Sequence, residues 1–237
     1  MRILLAGAIA SMALAGCSAG RAESAGPTVS RSFPVGDFTR LEVAGPFDVR
    51  VATGKAASVT ASGPQELIDR MEVAVEDGEL RVRPQNKGWL NWGWNSGKAV
   101  VTVTVPALEG VRVAGSGDID VDRVAGERFS SEIAGSGDLR LGAVQVKELK
   151  LAIAGSGSVK AAGQAEQASY KIAGSGDLDA GGVKTRRADA SIAGSGSIRA
   201  YASETASAKI NGSGDIEIGG GARCETAKHG SGDIRCS

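Results

Sequence analysis

The chain carries few aromatic side chains, no net charge and a single histidine. Only 4% of its 237 residues are Phe, Trp or Tyr, against 35 glycines, so bulky core residues are scarce and close backbone approaches are many. That balance argues against a globular helical core and for stacked β-structure. The 27 basic and 27 acidic residues cancel, which excludes a protein that draws in nucleic acid through its net field. With only His229, there is no second imidazole for a metal-ligand set, and no nucleophile motif accompanies it. Of three cysteines, none stands in a CxxC pair.

The first seventeen residues, MRILLAGAIASMALAGC, combine a basic start at Arg2, an apolar run too short to span a membrane comfortably, and small residues before a cysteine. This is the pattern of an export signal. Leu14-Ala15-Gly16-Cys17 resembles the lipobox of bacterial lipoproteins, which implies that Cys17 is the mature N-terminus and carries the lipid anchor; an ordinary secretory signal cleaved nearby is the alternative. Acyl chains contribute roughly 0.8 kcal/mol per buried methylene, so several of them anchor firmly. Ser18 follows the cysteine where an inner-membrane retention signal has aspartate, which points to the outer membrane. Residues 18–29 are small, polar and unpatterned, and read as a flexible tether.

The remaining cysteines, Cys224 and Cys236, stand twelve apart. In an exported protein such a pair reads as a disulfide, and closing so short a loop stabilises by roughly 3 kcal/mol in the chain-entropy model. A metal site using both cysteines and His229 is the competing reading.

Residues 30–109 form an N-terminal β region. DFTRLEVAGPFDVRVATG and KAVVTVTVPAL alternate apolar and polar residues, and EVAVEDGELRVRP reads as a hairpin turning at Asp77-Gly78. Between two of these strands lies KGWLNWGWNSGK, which holds all three tryptophans, Trp89, Trp92 and Trp94. Its glycines and asparagines mark a loop. Exposed there, the rings suit a sugar, a membrane interface or a protein partner; folded back, they would cover the end of the molecule.

Over 110–237 the triplet Gly-Ser-Gly recurs with its serine at 116, 136, 156, 175, 195, 213 and 231, at spacings of 20, 20, 19, 20, 18 and 18. A fixed period of this kind marks a stacked-repeat architecture. Within one unit Ile133, Gly135, Gly137, Leu139 and Leu141 share a face, while Ala134, Ser136, Asp138 and Arg140 share the other. The two glycines therefore fall on the inward side of a sharp corner. Parity changes again near Lys147-Glu148, where a second corner is expected. Two or three short strands per turn make a parallel β-solenoid of about seven turns, with the N-terminal β region capping one end and a Cys224–Cys236 bridge pinning the other.

FTRLEVAGPFDVRVATG, DGELRV, VTVTVPAL and the GSGDI or GSGDL units together resemble the bacterial head GIN domain family, whose label is an auto-transporter adhesin head. The resemblance covers about Phe38 to Ile218. It implies a secreted or lipid-anchored β-helical protein without an established activity. The lipobox and the tryptophan loop add the expected partners, the membrane through the lipid and an envelope glycan or protein, and no cofactor is expected.

Two other functions compete with that reading. The residues two after each triplet serine are Asp118, Asp138, Ser158, Asp177, Ser197, Asp215 and Asp233, a row that would suit calcium along the stack. The aspartate directly follows the second glycine, however, where the calcium repeat GGxGxDxUx needs a residue between. The plainer account is a turn-tolerant residue that caps amides, with serine relieving repulsion between stacked carboxylates. Some parallel β-helices cleave acidic polysaccharides with clustered aspartates, yet here the repeat spreads the acids evenly. The next row, Asp120, Arg140, Lys160, Asp179, Arg199, Glu217 and Arg235, mixes signs and suits cross-turn pairing. The expectation is a non-enzymatic envelope protein.

Overall fold

A computed structural model describes residues 27–85 and 98–237. Cys17, residues 18–26 of the tether and the three tryptophans lie outside the described residues, whereas the last tether residues, Thr28 and Val29, are in a strand.

The repeat region is a parallel β-solenoid. Its strands are β8 (Gly110–Gly115), β9 (Ile119–Gly135), β10 (Asp138–Gly155), β11 (Ser158–Gly174), β12 (Asp177–Lys184), β13 (Arg187–Gly194), β14 (Ser197–Tyr201), β15 (Thr205–Gly212), β16 (Asp215–Gly219), β17 (Arg223–Gly230) and β18 (Ile234–Cys236). Each pairs in parallel with its equivalent one coil away, so Ile133, Ile153, Ile172, Ile192 and Ile210 form a continuous inward column. All five are buried, and each removes roughly 1.5–3 kcal/mol of apolar side chain from water. Seven Gly-Ser-Gly corners bound six complete coils, close to the seven turns expected.

The glycines are required by how closely these corners stack. The first of each triplet has a positive φ, +140° at Gly135 and Gly155, a conformation that side chains disfavour. At the second, Gly157, the backbone is unexceptional, but an added Cβ would lie 2.2 Å from the Gly137 carbonyl oxygen in the next coil.

The stack continues below residue 110. Strand β2 (Arg40–Gly45) pairs in parallel with β8, and β3 (Asp48–Thr53) with β9, so Gly45-Pro46-Phe47-Asp48 occupies the place of Gly-Ser-Gly-Asp. Phe47 stands where the other coils have their second glycine, and its buried ring fills the end of the glycine column. One level further out, β6 (Glu79–Pro84) lies on β2 and β7 (Val100–Val105) on β3.

Then the direction reverses. Strand β4 (Ser58–Pro64) runs antiparallel to β7, β1 (Thr28–Phe33) antiparallel to β4, and β5 (Met71–Glu76) antiparallel to β6. The short helix α1 (Gln65–Asp69) buries Leu67 and Ile68 against this end. Antiparallel strands and a helix thus close off the parallel stack, which is the expected cap.

At the other end β17 pairs only with β15 among the described residues. Its inward positions change from Ala206, Ala208 and Ile210 to Cys224, Thr226 and Lys228. An inward lysine on an edge strand discourages further coils from adding, because they would bury its charge. A disulfide joins Cys224 in β17 to Cys236 in β18, Cα atoms 6.6 Å apart, and ties the last coil shut. With both sulfurs bonded to each other, neither serves as a metal ligand beside exposed His229. Replacing both cysteines by serine is expected to lower the unfolding free energy by about 3 kcal/mol and to release amide protection in β17 and β18 first. Hydrogen exchange of the two forms measures this; equal protection would show that the bridge adds nothing.

Candidate functional site

The Gly-Ser-Gly-Asp corner carries a ladder of carboxylates. Asp118 N donates to Asp48 Oδ1 at 3.3 Å, Asp138 N to Asp118 Oδ1 at 3.2 Å, and Ser158 donates through N and Oγ to Asp138 Oδ1 at 3.1 and 2.7 Å. Farther along, Ser197 Oγ donates to Asp177 Oδ1 at 2.5 Å and Asp233 N to Asp215 Oδ1 at 2.8 Å. Each accepting aspartate caps the amide or hydroxyl of the following coil. The serines interrupt the row of negative charge and donate to it, as the plainer sequence reading has it. An oxygen cage for calcium needs 6–8 converging ligands, whereas this row gives one contact per step.

The mixed-sign row beside it pairs across coils: Arg140 with Asp120 at 3.6 Å, and Arg199 with both Asp179 at 3.7 Å and Glu217 at 3.5 Å. All are more than 40% exposed and screened by solvent, so the row maintains solubility and register without creating a reactive group.

The described residues that flank the tryptophan segment, Gln85 and Lys98, lie near this same edge. Register aligns Val43 with Val82 and Asp48 with Val100, so β6 ends and β7 begins on either side of the level of the Gly45–Asp48 corner. At its near side Gln85 N donates to Arg70 O at 2.8 Å. At its far side Lys98 Nζ sits 3.2 Å from Asp48 Oδ2, and that hydrogen bond, with the Asp48 charge, raises the lysine above its ordinary pKa. Trp89, Trp92 and Trp94 lie between these two ends in sequence and outside the described residues.

The second corner, half a coil away, holds a groove that the sequence reading did not single out. From Glu148 to Ser158, Gln167 to Asp177, Arg187 to Ser197 and Thr205 to Asp215, every returning arc is ten residues long. The outgoing arc varies: ten residues from Asp177 to Arg187, but eight from Ser197 to Thr205 and from Asp215 to Arg223. The drop in repeat length from twenty to eighteen therefore falls wholly on one wall. Where a long arc overlies a short one the wall steps inward, and the step opens a groove of about 560 Å³.

Its floor is held by hydrogen bonds. Buried Thr185 donates through Oγ1 to Tyr201 O at 2.5 Å, and Ser203 returns bonds from N at 3.1 Å and Oγ at 3.3 Å to Thr185 O. Lys184 Nζ lies 3.8 Å from the centroid of the Tyr201 ring. Lys147 pairs with Glu127 at 2.9 Å and Arg186 with Glu204 at 2.7 Å; those hydrogen bonds, then the charges behind them, raise both cations. Glu166 adds a smaller charge effect on each.

Among the described residues, no helix is long and apolar enough to cross a membrane.

The family model described as "Putative auto-transporter adhesin, head GIN domain" matches residues 37–222. A "putative adhesin" of Bacteroides fragilis has a similar structure, with 24% identity, 89% of this chain and 97% of that one covered, and a TM-score of 0.81. A "putative lipid binding protein" of Parabacteroides distasonis is 25% identical over 90% of this chain and 97% of that one, with a TM-score of 0.71. A "putative adhesin" of Parabacteroides merdae is 18% identical over 90% and 97%, with a TM-score of 0.68. None of the curated proteins matches the chain.

Proposed function

Because the chain belongs to the auto-transporter adhesin head GIN domain family, we propose that it is a non-enzymatic binding protein of the bacterial envelope, anchored by lipid at Cys17 and adhering through its coil surfaces and tryptophan segment. The observation that carries this reading is the arrangement of the charged rows. Their carboxylates and guanidinium groups meet amides or opposite charges of the neighbouring coil, and so build a rigid presenting surface instead of converging on a reacting atom. The lipid-binding description of one neighbour suits an exterior contact here, because buried columns such as Phe129, Tyr170 and Ile172 fill the interior.

Cys17→Ser is expected to move the protein from the membrane pellet to the soluble fraction. The intact protein, drawn out of its own envelope, should carry a partner that the Trp89→Ala/Trp92→Ala/Trp94→Ala variant loses at unchanged stability. Turnover of a polyuronate by the purified protein would overturn the non-enzymatic reading, and equal recovery with the triple variant would remove the tryptophans from it.

A further inference from the structure

We propose that the stepped groove at the second corner is a binding subsite for an anionic saccharide, with the carboxylate of a uronic-acid-type unit received by Lys184 and Arg186. The proposal rests on the reading of the chain as a binding protein and gives it a ligand class and a place.

Three observations converge there. The groove ends where the ten-residue arc before Arg187 meets the eight-residue arc from Ser197 to Thr205, and the surface at that step is preset by the Thr185, Tyr201 and Ser203 hydrogen bonds. A preset floor lowers the ordering cost of binding. Three cations, Lys147, Lys184 and Arg186, face it, with Glu166 as the acidic lining residue. Lys147 and Arg186 have carboxylate partners outside the groove, whereas Lys184 rests on an aromatic ring and has none among the described residues. An ammonium held only by a ring quadrupole gains more from an arriving carboxylate than one already paired.

The neutral lining selects a sugar over a peptide. Gln145 and Gln164 are adjacent in register, with Lys184 next in the same column, so two planar amides and a cation repeat at the coil spacing of roughly 4.8 Å. Amides, a hydroxyl from Ser203 and the edge of Tyr201 match a ring that presents hydroxyls on its rim and C–H groups on its face. A peptide would bind best by adding to a free strand edge. The strands flanking this groove, β10 to β14, are paired on both sides.

The test is calorimetric titration of the full chain in detergent at low salt with tetragalacturonate, maltotetraose and a tetraglutamate peptide. Tetragalacturonate should bind and the other two should not. Lys184→Gln and Arg186→Gln, exposed changes that leave the core intact, should each weaken binding by about tenfold, as expected for loss of one charge-assisted contact. Glu166→Gln should tighten it, since it removes the repelling lining charge. No binding of tetragalacturonate, equal binding of the tetraglutamate, or indifference to Lys184→Gln and Glu166→Gln would each overturn the proposal.

The tryptophan variant separates this inference from the broader reading. It should bind the uronate normally while losing its envelope partner. Envelope capture without uronate binding would sink the groove alone; uronate binding without envelope capture would sink the adhesion reading alone.

Discussion

Gly155→Ala is expected to cost about 2–6 kcal/mol of stability, and two neighbouring substitutions divide that cost into its causes. At Gly155 both obstacles are present: φ is +140°, and an added Cβ would meet the Gly135 carbonyl oxygen at 2.2 Å. Gly126 shares the dihedral, +143°, but nothing lies within 4 Å of its Cβ position, so Gly126→Ala carries only the backbone strain, about 1–3 kcal/mol. Gly157 has ordinary φ and the same 2.2 Å approach, in its case to Gly137 O, so Gly157→Ala carries only the collision, about 1–3 kcal/mol of overpacking. Denaturant titration of the three variants against wild type measures each loss. If Gly155→Ala costs no more than Gly126→Ala, the stacked corners have slack and close packing is not what fixes glycine there. A midpoint change without a slope change would place the loss in the folded state.

The same corner shows how far the fold is legible from sequence. Alternation is strict from Ile133 to Leu141, so the inward face, the corner and the solenoid all follow from a period of two carried through a repeat near twenty. The continuation below residue 110 is less visible because Gly45-Pro46-Phe47-Asp48 keeps the spacing of the motif while replacing its serine and second glycine. A repeat search keyed to Gly-Ser-Gly passes over it, although Leu41, Val43, Val49 and Val51 hold the same inward positions as Val111, Val113, Ile119 and Val121. Phe47 brings a side chain to this column, and its buried ring packs 3.4 Å from the Cβ position of Gly45.

The aspartate ladder was readable as turn capping because only Asp and Ser occur at one fixed offset from the triplet. The groove was not, since its residues come from five coils and share no motif. Its trace in the sequence is the change of spacing from 20 to 18, which says that a wall is shorter without saying which one. Register supplies that answer: the returning arc is invariant, and the outgoing arc carries every insertion and deletion. A returning arc that bears the Ile column tolerates no change in length, because one added residue would turn its side chains outward.

Tyr170 stands in the inward column next to the isoleucines, two residues before Ile172, and its substitution is the other large expected effect. It stands between Leu151 and Ala190 in register, fully buried, and its hydroxyl has no hydrogen-bond partner among the described residues. Tyr170→Ala is expected to cost about 3–5 kcal/mol, as for loss of a large buried ring with only partial collapse around the gap. Tyr170→Phe keeps the ring and removes the unpaired hydroxyl, and should stabilise by about 1–3 kcal/mol. The two also differ with pH. Burial pushes the Tyr170 phenol well above its usual range, so the folded state keeps its proton where the unfolded chain releases it. Stability from this group is full below the unfolded value of about 10 and falls as pH rises beyond it, by up to about 1.4 kcal/mol per pH unit. Tyr170→Phe should therefore gain most over wild type in alkaline solution, measured as the difference in denaturant midpoints at neutral pH and above pH about 10. A constant difference across that range would mean that the hydroxyl reaches solvent or a partner, and that the widest ring in the column is not sealed by the small side chains of Ala190 and the coils beyond it.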